Sequence, residues 1–104
     1  MKLTAQQALL AAAQVFEDYP ERWTEDALVK DKKGVETNIG SPTAYCFCAH
    51  GIMWQMEFEG LTTQEVNAEM YRKIDSANCN LSMVITNDCF GREAVIAMFR
   101  KAAE

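Results

Sequence analysis

Apolar positions Leu9, Ala12, Ala13 and Phe16 recur at helical spacing behind Thr4-Ala5-Gln6-Gln7. That tetrad reads as a capping box, with Thr4 at the N-cap and Gln7 at N3. Tyr19-Pro20 ends the pattern, because proline disfavours helical geometry in the residue before it. A helix is expected over about 4–18. Between Trp23 and Ile39 the pattern changes. The runs Ala27-Leu28-Val29 and Val35-Glu36-Thr37 flank the polar Asp31-Lys32-Lys33-Gly34, which predicts a β-hairpin over about 25–39. Gly34 would take its positive-φ position.

Ser41-Pro42 has the form of a cap followed by proline at N1, so a helix is expected over about 42–58. Its apolar stripe would be Tyr45, Cys48, Ala49, Ile52 and Met56, ending at Gly60. Thr62-Thr63-Gln64-Glu65 reads as a second capping box for a helix over about 62–77, with Val66, Met70, Ile74 and Ala77 on one face. Asn78-Cys79-Asn80 breaks that pattern. Residues 81–86 fit either a strand through Met83-Val84-Ile85 or a short helix capped by Ser82. Asn87-Asp88 is a turn signal. Val95, Phe99 and Ala102 then predict a last helix over about 92–103. The expected fold is a small, mostly helical α+β single domain over 1–104, with four to five helices and one β-hairpin.

Composition narrows the function classes. At 104 residues there is room for one core. An apolar fraction of 49% with 10% aromatics argues against disorder. Lys plus Arg number 10 and Asp plus Glu 15, a net charge of −5. Acidic residues sit beside most of the basic ones, so a phosphate-binding face is not expected and duplex nucleic acid is not an expected partner. The apolar run Ala8 to Ala13 is too short for a secretion signal or a membrane span, which points to the cytoplasm. Cys46, Cys48, Cys79 and Cys89 are then expected as reduced thiols.

The sharpest local pattern is Cys46-Phe47-Cys48-Ala49-His50. An extended segment would align Cys46, Cys48 and His50, which with Cys79 or Cys89 could hold zinc. The Ser41-Pro42 start favours a helix instead. There, Cys46 and His50 are one turn apart and Cys48 points elsewhere, into the core. No metal and no cofactor are therefore expected. Cys46 and His50 at that spacing could also form a nucleophile–base pair oriented by Asp88, but no oxyanion element accompanies them.

Asn87 and Asp88 could meet a ligand, although turn and cap chemistry is the commoner use of such residues. Trp23 could cover the core or stand half-exposed in an interface. Trp54 lies four residues after His50, close enough to stack, and shares a face with Phe58 that is more often core than partner surface. Glu57 and Glu59 read as solvated rather than as an acid–base pair. The five glycines are isolated, so no phosphate loop is present.

Taken in order, Arg22-Trp23, Ala27-Leu28, the turn ending in Gly34, Ser41-Pro42-Thr43-Ala44, Cys48-Ala49-His50-Gly51, Asn87-Asp88 and the helix with Glu93, Val95 and Ala102 resemble a family of short phage and bacterial proteins known as a domain of unknown function. The resemblance runs from about Ala8 to Ala103. The chain departs from the family's pattern at Ile52, where alanine is usual, at Thr86, where tryptophan is usual, and at His50, where an aliphatic residue is common. The resemblance implies a phage-borne, cytoplasmic setting and no mechanism. The expected function is non-enzymatic, binding of a host protein, with counter-defence as one such role. The alternative is a binder of a small ligand or nucleotide signal, and a thiol enzyme comes third. A second copy of the chain is a further partner the sequence leaves open. The residues singled out for partner or ligand contact are Trp23, His50, Trp54, Asn87 and Asp88.

Overall fold

The computed structural model describes residues 2–78 and 82–104. Its first helix, α1, spans Ala5–Asp18 behind the capping box read from the sequence. The Gln7 N–H donates to the Thr4 hydroxyl, and the Gln7 side chain accepts from the Thr4 N–H. After Tyr19 a single 3-10 turn, Pro20–Arg22, carries the chain to Trp23.

The structure is the small α+β fold expected, mostly helical with one two-stranded antiparallel hairpin. The partner strand differs. Strand β1, Val29–Lys30, pairs with β2, Cys46–Phe47, and the expected second arm contributes the isolated bridge Lys30–Glu36, flanked by the bonds from Asp31 N–H to the Val35 carbonyl at 2.8 Å and from Thr37 N–H to the Val29 carbonyl at 3.1 Å. The polar turn itself forms as read. Asp31 accepts the N–H groups of Lys33 and Val35, and Gly34 sits at φ 86°.

Because Cys46–Phe47 is extended, helix α2 starts later than expected and spans Ala49–Phe58. Ser41 does not cap it. Its hydroxyl accepts the Thr43 N–H at 3.2 Å and closes a local turn that competes with helix initiation. Helix α3 spans Gln64–Ala77, with Thr63 rather than Thr62 at the N-cap. Thr62 is buried.

Of the two readings for 81–86, the helical one holds over the described part. Ser82 caps the single turn α4, Met83–Ile85, which runs into a π-helical turn, Thr86–Phe90. The last helix, α5, spans Gly91–Ala102. The expectations for Cys79, Asn80 and Leu81 lie outside the described residues.

The core lies where α1, α3 and α5 pack together. Gln6 reaches the Ala103 carbonyl and Arg92 reaches the Phe16 carbonyl, so α1 and α5 run antiparallel along their full length. Phe16 and Phe99 stack between them at 6.5 Å. Leu9, Met53, Met70, Ile74 and Val95 complete a buried cluster. Burying each such side chain stabilises by about 1.5–3 kcal/mol. This packing fixes α2 and the π turn, and between them lies the candidate site. No helix among the described residues is long and apolar enough to cross a membrane.

Candidate functional site

Cys48 is extended and occupies the N-cap of α2, where its Sγ accepts the Gly51 N–H at 3.2 Å. Its own N–H donates to the Leu28 carbonyl at 3.1 Å. Gly51 makes this approach feasible, because a Cβ there would collide with the Leu28 carbonyl. Loop 24–28 is thereby pressed against the start of α2.

The π turn faces the same place from the other side. Its wider ring turns Asn87 inward and leaves Asp88 half-exposed. Asn87 is 2% exposed, and both ends of its side chain are in use. Its Oδ1 accepts the Trp23 indole N–H at 2.8 Å and the Ala49 N–H at 3.0 Å. Its Nδ2 donates to the Thr24 carbonyl at 3.1 Å and to Asp88 Oδ1 at 2.9 Å. Asp88 Oδ1 also accepts the Asp26 N–H at 3.2 Å. Asp26 stands at φ 66°, a left-handed conformation uncommon for a non-glycine residue. Asp88 does not cap α5, whose first turn has no side-chain cap. It ties down the 24–28 loop instead.

These three segments enclose a cup of about 360 Å³, walled by Asp26, Leu28, Cys48, His50, Val84 and Asp88, with Asn87 in its side. Two carboxylates line it and no lysine or arginine does, among the described residues. Burial pushes the Cys48 thiol up, despite hydrogen bonds from the Gly51 and His50 N–H groups, so the sulfur is protonated at neutral pH. Burial pulls His50 down, which keeps its imidazole neutral. His50 Nδ1 lies 3.0 Å from the Tyr71 hydroxyl. The Tyr71 ring is 5.5 Å from the imidazole, and Trp54 meets it edge-on at 6.4 Å.

Of the five residues singled out from the sequence, His50, Asn87 and Asp88 meet at the cup. Trp23 reaches it only through Asn87. Trp54 lies on the far side of His50, 45% exposed, and with Phe58 at 65% it forms surface rather than core. The stack anticipated between His50 and Trp54 is present as an edge contact. Cys46 and His50 do not share a helical turn, since Cys46 belongs to β2 and its thiol donates to the Glu21 carbonyl at 3.2 Å. Among the described residues no group of three or more His, Cys, Asp or Glu side chains could hold a metal ion. Glu57 accepts from Asn67 at 2.7 Å and Glu59 from Gln55 at 2.9 Å, so both are held locally.

Sequence reasoning missed Asp26, Leu28, Val84 and Tyr71. Nothing in Glu25-Asp26 marks a left-handed residue, and Tyr71 lies one position off the apolar stripe of α3. The Cys48 cap was hidden because cysteine is not an ordinary capping residue. No known family model matches the chain, and neither a curated protein nor a solved structure matches it.

Proposed function

We propose that the protein acts without catalysis, by binding a partner protein that places a cationic side chain in the cup formed by loop 24–28, the start of α2 and the π turn. The observation that carries this reading is the convergence of two irregular backbone segments on one acidic cup. A π turn and a left-handed aspartate both carry a conformational cost, and such features concentrate at functional sites. Asp26 and Asp88 supply the charge that an arginine or lysine would answer. Leu28 and Val84, 41% and 51% exposed, form an apolar rim suited to a partner surface. The protonated, buried Cys48 thiol supports binding over thiol chemistry. The resemblance to short phage and bacterial proteins makes a bacterial host protein the natural partner class.

The size of the cup favours one second reading, a small free ligand with an amino head. Two carboxylates and no lysine or arginine in the lining, among the described residues, disfavour the phosphates of a nucleotide signal. The test is capture from bacterial lysate with the wild-type protein, Asp88→Asn and Val84→Glu, each checked by a denaturant melt. Asp88→Asn keeps an acceptor oxygen and removes the charge. Partner capture lost in both variants, with stability within about 0.5 kcal/mol of wild type, supports the reading. Equal capture by all three proteins overturns it. A small co-purifying mass in the native spectrum, lost in Asp88→Asn, supports the free ligand instead.

A further inference from the structure

A second concavity of about 560 Å³ lies between α2 and α3, on the other side of His50 from the cup. Its wall carries three aromatic rings, Trp54, Phe58 and Tyr71, and one carboxylate, Glu57. No basic side chain lines it among the described residues. Trp54 and Phe58 are 45% and 65% exposed, unusual for residues of that size on a helix that otherwise buries its apolar face. Aromatic faces carry negative potential and attract organic cations, most strongly where a carboxylate stands beside them.

Asn67 adds an independent observation. It lines the same cleft and is 4% exposed. Its Nδ2 donates to the Met53 carbonyl at 3.4 Å and to Glu57 Oε1 at 2.7 Å. Both neighbours are acceptors, so the amide cannot be turned over. Its Oδ1 is buried and accepts no hydrogen bond among the described residues. That oxygen is closed off from solvent, so Asn67 acts on the cleft through Glu57. The same bond from Asn67 fixes the Glu57 carboxylate at the wall, where it can answer a positive charge.

We propose that the α2–α3 cleft binds a small organic ammonium ligand, with Trp54, Phe58 and Tyr71 around its apolar part and Glu57, held in place by Asn67, at its charged head. This site is separate from the cup and stands or falls independently of the proposed partner. No residue lines both concavities, although Tyr71 bonds His50 of the cup wall, and the occupant of the cleft is a free small molecule.

The test is a titration of ¹⁵N-labelled protein with benzylammonium, followed at the Trp54 indole and the Asn67 side-chain amide. Saturable shifts at both signals are expected. Benzyl alcohol and benzoate should give no saturation in the same range. Glu57→Gln keeps an oxygen for Asn67 and should weaken benzylammonium at least tenfold with an unchanged melt. Trp54→Ala alters a half-exposed side chain and should also lose binding with the fold retained. Equal response to benzyl alcohol, absence of saturation with benzylammonium, or undiminished affinity in folded Glu57→Gln each overturns the proposal.

Discussion

At the scale of single residues, Asn87 decides most about the cup. Its amide satisfies the Trp23 and Ala49 N–H groups and the Thr24 carbonyl at once. Asn87→Ala leaves these groups unmatched in or near the interior, so a loss of about 3 kcal/mol is expected in a denaturant melt. Asn87→Ala within 1 kcal/mol of wild type would show that the network is dispensable. His50 sets a pH dependence. Burial disfavours its imidazolium in the folded state, so below about pH 6.5 the unfolded chain binds more protons than the native one. Stability due to this group is present above that pH and declines as pH falls through it. His50→Gln, which can still bond Tyr71, should flatten that part of the stability profile, and an unchanged slope would assign it elsewhere. Asn87-Asp88 was legible in the sequence as turn chemistry. Its reach back to residues 23, 24, 26 and 49 was not, because a side chain's long-range partner leaves no periodic trace.

Among the elements, the two threonine-led helix starts show what local chemistry can specify. Thr4 and Gln7 form their capping box as read, whereas the second box does not form, because Thr63 caps alone and Val66 at N3 has no acceptor to return the bond. The Ser41-Pro42 signal was equally strong and was overridden. Phe47 gains burial against Val29, and the Cys46–Phe47 backbone gains the ladder with β1, which a helix over 42–48 would forfeit. Helical starts are local, whereas strand pairing across sixteen or more positions is decided by tertiary packing. The junction between β1 and α2 yields a prediction of its own. Gly51→Ala forces a methyl group against the Leu28 carbonyl, and rigid backbone on both sides leaves little room to yield. A destabilisation of about 2–3 kcal/mol is expected, although alanine is ordinarily the better helix former. A neutral or raised melting temperature would mean that loop 24–28 is free to withdraw.

On the whole-molecule scale, the α1–α5 pair forms a spine, and α2, the hairpin and the π turn are arranged against it. The fold class was legible because helical periodicity dominates the chain. The cup was not, since it is assembled from segments some sixty residues apart. Asn87 joins three of those segments through one amide group, and this has a kinetic consequence. Loop 24–28, the start of α2 and the π turn cannot peel away singly without stranding the others' buried polar groups, so they should open together or not at all. Hydrogen exchange makes this measurable. The Ala49 amide, although it lies in the first turn of a helix where fraying is usual, should exchange only through global unfolding, with a protection factor matching that of core amides such as Ile74. Exchange at Ala49 much faster than at Ile74 would show that the cup breathes while the spine stays closed.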